Sequence, residues 1–227
     1  MRHLFFYMNP KNKSIAEWYV DQIKETAQGI QAKVLAANGI PLNPQRASEF
    51  CPIPVYETAP LSLLSTANSG RRPQTEISWA VGGYTYLPAY FKKYRDEKSG
   101  RLRISIVVAA TSNYCESRFF AAKELMHCFI ENDGYEATNT ILLANDLIES
   151  LAIGSNNIPH PRPQTIVDEV AWVGAAEYLV PATWVPLLQK TLMALQDKGV
   201  AAHLAHLHLA QLIRVPETVL RARLRNS

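Results

Sequence analysis

A chain of 227 residues is long enough for one well-buried domain, or for one domain with an appendage. With 48% hydrophobic, 19% charged and 9% aromatic residues, it has the composition of a globular protein, not of a disordered or fibrous one. Twenty-three basic against 20 acidic residues leave a net charge of +3, too balanced to signal nucleic acid or a membrane surface.

Three cysteines, Cys51, Cys115 and Cys128, are an odd number with no C-x-x-C pair, which argues against a disulfide framework and suits a reducing cytosol. The opening "MRHLFFYMNPKNK" is too short in its apolar patch for a secretory signal, and no window reaches the roughly 18 apolar residues of a membrane span. The expected location is therefore the cytoplasm.

Helical periodicity runs through 15–37, where Ile15, Tyr19 and Ile23 recur four apart, and Gly39, Pro41 and Pro44 stop it. Residues 38–75 are rich in Pro, Ser, Asn and Gly and read as irregular structure loosely tied to the rest. Partial alternation over 76–91 around Gly82-Gly83 predicts a strand pair. A turn at 96–100 then leads into the β-branched run "RLRISIVVAA" at 101–110, the clearest strand of the chain. Helices are expected over 116–130, 141–152, 166–180 and 184–198, with a proline-rich loop at 159–163. A last helical stretch, 201–225, turns near Val215-Pro216. Strands grouped early and helices in the majority give an α+β class, mostly helical with a small β-sheet.

The chemistry is concentrated at Lys123-Glu124-Leu125-Met126-His127. A zinc-protease helix needs H-E-x-x-H: two imidazoles one turn apart on one face, with a glutamate beside them to act as base. Here Glu124 and His127 are in place, but Lys123 stands where the first ligand belongs. The motif alone reads first as an amphipathic helix with a surface Lys-Glu pair and a half-buried histidine.

Its surroundings add specificity. "SRFFAAKELMHCF" (117–129) resembles the "RFTLAHELGH" block of the ImmA/IrrE family of zinc metallopeptidases, with Arg118, Phe119, Ala122, Glu124, Leu125 and His127 in register. "DEVAWVGAAEYLVP" (168–181) is similar to that family's second block through Asp168, Ala171, Ala175, Ala176, Glu177, Leu179 and Pro181, and "LAQLIRVPETVLRARLRN" (209–226) to its closing segment. The three blocks occur in the family's order and cover about half the chain. The resemblance implies a small zincin-like metallopeptidase domain over 76–227, including a C-terminal helical segment at 201–227. Residues 1–75 are expected to form an N-terminal helix and irregular extension packed on that core.

Carried over by position, the resemblance makes His127 and Asp168 zinc ligands and Glu124 the base acting on zinc-bound water. Asp168 also suits the first turn of its own helix, as an acid at the positive end of the helix dipole. The sequence departs from the family pattern at three points. Lys123 has no lone pair to offer a metal while charged. Asp168 is one methylene shorter than the family's glutamate. His127 and Asp168 stand 41 residues apart, and the extra length, 141–152 with the proline-rich loop, would lie over the site as a lid or plug.

Two site readings follow. In one, His160 from the inserted loop completes a rebuilt His127/Asp168/His160 zinc site; Cys115 is a softer donor nearby, and Cys128 points about 100° away from His127 on the helix. In the other, the Lys123 ammonium substitutes for zinc by pairing with Asp168 or Glu124, leaving the fold without the chemistry. The resemblance then implies either a degenerate protein that binds a helix-turn-helix repressor of the phage or mobile-element kind, with no metal, or an active zinc endopeptidase. His203, His206 and His208 read as ordinary amphipathic-helix histidines, since 208 leaves the face shared by 203 and 206. The closing segment has a helix-turn-helix look, with Arg214, Arg221, Arg223 and Arg225, and carries a DNA-binding alternative.

Overall fold

The computed structural model describes residues 13–55, 76–82, 89–95, 102–109, 113–130 and 163–225. Expectations for 141–152, for 159–162 of the proline-rich loop including His160, and for the stretch 56–75 lie outside these residues; Pro163, expected as the end of that loop, instead opens a helix.

Helix α1, Lys13–Ala37, buries Ile23, Ala27, Ile30 and Val34, a stripe at three- and four-residue spacing, while Asp21, Glu25 and Lys33 face solvent. It ends in a Schellman motif: Ile40 N–H donates to Leu35 O and Gly39 N–H to Ala36 O, with Gly39 at φ 66°, a left-handed conformation that disfavours a Cβ.

Three strands follow, β1 (Glu76–Gly82), β2 (Ala89–Arg95) and β3 (Leu102–Ala109), in the spatial order β1-β3-β2. β2 and β3 form an antiparallel hairpin from Ala89↔Val108 to Arg95↔Leu102, and β1 lies parallel to β3. This corrects the strand pair expected over 76–91: the described strand residues there are 76–82 and 89–91, the latter opening a strand that runs on to Arg95, and each strand pairs with β3 and not with the other. The physical reason is that the Ile-Ser-Ile-Val-Val run of β3, where Ile106 and Val108 are buried, takes the central place. A central strand has neighbours on both sides, so the less apolar strands become the edges.

Helix α2, Tyr114–His127, packs against the sheet and against helix α3, Pro163–Leu179, and α1 also packs on α3. α2 is covered on two sides, so Phe119, Ala122, Leu125 and Met126 are all buried, along with the polar Arg118 and Glu124. α3 fits between its neighbours because it is lined with small residues. A Cβ added at Gly174 would stand 2.6 Å from Ile23 Cγ1 of α1 and 2.9 Å from Met126 Cγ of α2. Ala171, Ala175 and Ala176, all buried, continue that close approach.

The C-terminal third is helical: a 3-10 turn at Ala182–Trp184, then α4 (Val185–Asp197), α5 (Ala202–Leu212) and α6 (Glu217–Arg225). Gly199, at φ 85°, ends α4 in a second Schellman motif. α5 ends in a third, with Val215 N–H donating to Ala210 O and Arg214 N–H to Gln211 O, but there the left-handed residue is Arg214, at φ 56°.

Residues 41–55 correct the expectation of a loosely tied segment. Trp184 Nε1 donates to Pro41 O at 3.3 Å, Thr183 to Leu42 O at 2.6 Å and Tyr178 O–H to Pro54 O at 2.6 Å. Phe50 stacks at 5.3 Å on the buried Trp184, and Ile53 and Val55 join the core. With its own backbone outside any ladder, this strap satisfies its carbonyls through side chains of α2, α3 and the 182–184 turn.

Candidate functional site

α2 begins earlier than 116 because Asn113 and Glu116 form a capping box: Glu116 N–H donates to Asn113 Oδ1 at 3.0 Å and Asn113 N–H to Glu116 Oε2 at 3.3 Å. The N-x-x-E signal was present in the sequence. From this start the helix carries Lys123 and His127, four apart, on the face turned toward the N-terminal half of α3, where Asp168 sits.

Four sequence-predicted residues meet there. The Lys123 ammonium makes a close ion pair with Asp168 Oδ1 and lies 3.7 Å from Glu124 Oε1. His127 Nε2 lies 3.3 Å from the same Asp168 oxygen and donates to it. The side chains of Lys123, Glu124 and His127 are 14%, 8% and 11% exposed, against 55% for Asp168. Three sites of charge or polarity are thus held away from water around one half-exposed carboxylate. Cys128 turns away, its thiol donating to Glu124 O at 3.4 Å, and Cys115 lies two turns back along α2.

The environment splits the two carboxyls. Burial pushes Glu124 above its ordinary 4.5, and the opposing pull of His127 and Lys123 does not cancel that effect. For Asp168 burial also works upward, but the hydrogen bond from His127 and the Lys123 ammonium outweigh it and hold the carboxyl below its ordinary 3.8. Glu169, raised by burial and by the neighbouring Asp168 charge, follows Glu124.

The linkage signs are opposite. A raised Glu124 contributes stability that is full below pH 4.5 and is lost as pH rises through its folded value. A depressed Asp168 contributes stability that is present above pH 3.8 and is lost as pH falls through its folded value. Thermal unfolding between pH 3 and 7 is expected to show Glu124→Gln gaining on wild type as pH rises above 4.5, and Asp168→Asn closing its deficit below 3.8. Parallel wild-type and variant curves would refute the assignment.

Among the described residues, the side chains at this site do not by themselves fit a zinc ion. The Lys123 ammonium has no lone pair, and it already pairs with Asp168 Oδ1. Among the described residues no group of three or more His, Cys, Asp and Glu side chains is placed to hold a metal. On α5, His206 Nδ1 donates to Ala202 O at 2.7 Å, and His203 and His208 are exposed.

The arginines of the closing segment are partly committed. Arg223 pairs with the buried Glu177 at 2.9 Å and donates to Val180 O, and Arg221 pairs with Glu217 at 2.6 Å. Arg214 and Arg225 are exposed. No described helix is long and apolar enough to cross a membrane. Compared with known proteins, the chain matches no family model and no curated protein.

Proposed function

We propose that this chain is an ImmA/IrrE-like scaffold that has exchanged its zinc for a lysine and acts by binding a protein partner without cleaving it. The resemblance points to a helix-turn-helix repressor of the phage or mobile-element type as that partner. One observation carries the reading: the single side chain that departs from H-E-x-x-H, Lys123, places its ammonium against the carboxylate in the third-ligand position. A site that loses a ligand and gains a cation there has lost a lone pair and half of the negative charge of its two carboxylates, both of which attract a dication.

A second reading, an active zinc endopeptidase, is favoured by Glu124, whose buried, raised carboxyl beside His127 suits a general base. It requires His127, Asp168 and a further ligand such as His160 to displace the lysine from the Asp168 oxygen. DNA binding through α5 and α6 is the weaker alternative, because Arg221 and Arg223 are held in intramolecular pairs.

Metal analysis of protein purified without chelator or added metal tests the proposal. Wild type is expected to carry far less than one zinc per chain, and Lys123→His close to one, since it restores H-E-x-x-H. Near-stoichiometric zinc in wild type, with chelator-sensitive peptide cleavage, would overturn the proposal in favour of the endopeptidase.

A further inference from the structure

We infer that the Lys123 ammonium is a structural cation that clamps α2 to α3, so that folding depends on the charge at position 123 and not on a divalent metal. The inference rests on the metal-free reading above and assigns the lysine a role within it.

Further along, α2 and α3 meet through apolar side chains. Met126 packs at Gly174, and the Phe119 and Trp172 rings meet edge-on at 5.5 Å. At the Asp168 end the contact becomes polar: two carboxylates, an imidazole and one ammonium meet within 3.7 Å of a neighbour. Like charges at this separation repel, and the repulsion strengthens as water is excluded. Glu124 is 6% exposed and sits on α2, while Asp168 sits on α3. Without a cation between them, the two helices would bring negative charge together at this end. Lys123 makes an ion pair with both carboxylates, and His127 adds a hydrogen bond to Asp168.

The geometry separates this pair from an ordinary surface ion pair. An exposed Lys–Asp contact contributes little, because water already solvates both ions and holding two long side chains costs entropy. Here the lysine stem is already held at 14% exposure, and removing its charge leaves Glu124 buried next to an Asp168 that keeps His127 but has lost its ammonium. Asp168, more than half exposed, can be partly rescued by water, so the two ends of the pair are unequal.

Thermal unfolding of the full chain tests the inference, using wild type, Lys123→Met, Lys123→Arg, Asp168→Asn and the Lys123→Met/Asp168→Asn double variant, each in chelator and in excess zinc. Lys123→Met is expected to lower Tm by about 3–8 °C, an effect between those of a surface and a buried pair. Lys123→Arg keeps most of the wild-type Tm. The double variant loses less than the sum of its singles. Wild type unfolds at the same temperature in both buffers.

An unchanged Tm for Lys123→Met, or strictly additive losses, overturns the clamp while leaving the metal-free reading intact. A wild-type Tm that falls in chelator or rises with zinc overturns that reading, and the clamp with it. If Lys123→Met does not fold while Lys123→Arg does, the requirement for charge is supported. If neither folds, position 123 requires lysine for its shape and the clamp is wrong.

Discussion

Arg118→Ala is expected to lower the unfolding midpoint by about 6–20 °C, the consequence of losing roughly 3–5 kcal/mol in a domain of this size. Arg118 is 2% exposed, and its guanidinium donates to three backbone carbonyls from two distant parts of the chain. Two belong to Ile213 and Arg214, at the α5–α6 turn, and one to Ile53, in the 41–55 strap. Each carbonyl stripped of its donor in a buried place costs about 1–3 kcal/mol, partly recovered by entering water. Arg118 also holds the left-handed Arg214: it binds that residue's carbonyl, and both guanidinium carbons lie 5.9 Å from the Tyr114 ring centroid. A forked, planar donor is needed to reach carbonyls in two directions, so Arg118→Lys should recover only a minor part of the loss. Denaturant unfolding provides the check. A loss below about 1 kcal/mol, the size of an ordinary surface change, would show that the three hydrogen bonds are replaceable.

Arg118 also shows which parts of the fold sequence reasoning reaches. Its place in the "SRFFAAKELMHCF" block was visible, but not its partners, because backbone carbonyls carry no residue identity and their positions depend on contacts 65 to 96 residues away. The same blindness made 41–55 look loose. Its pattern of Pro and Asn excludes regular structure, but nothing in that pattern reports that Tyr178, Thr183 and Trp184 donate to it. Helices with a local signature were readable, including the stop of α3 before Pro181 and the run of β3. β1 and β2 were readable as strands but not as the two edges of β3, since pairing is a long-range choice. At the candidate site, helical spacing places Lys123 and His127 on one face. Asp168 came into view through the block around it, and the local pattern reads it equally well as a first-turn acid. The α5 end was hidden because the left-handed position of a Schellman motif is normally marked by glycine, and here an arginine fills it.

Arg223→Ala is expected to destabilise the protein by roughly 3–5 kcal/mol, the cost of breaking a buried ion pair from one side. Glu177 is 2% exposed on α3, and Arg223 Nη2 of α6 meets its Oε2 at 2.9 Å. The other carboxylate oxygen accepts from Gln28 of α1 at 3.2 Å, and the neighbouring Gln31 donates to the carbonyls of Glu177 and Tyr178 at 2.8 and 2.6 Å. One carboxylate therefore joins α1, α3 and α6, elements from the beginning, middle and end of the chain. Removing the guanidinium leaves that charge in a low-dielectric interior with an amide as its remaining partner among these contacts, and an amide cannot neutralise it. The double variant Arg223→Met/Glu177→Leu should recover much of the loss, because replacing both partners by apolar groups removes the stranded charge. A merely local role for α6 predicts otherwise: Arg223→Ala would then fray the C-terminus without moving the main unfolding transition. The outcome also bears on the DNA-binding alternative. If Arg223 holds the core together, it is not available to a phosphate backbone, and a salt-dependent shift assay should give the same result for wild type and for the refolded double variant.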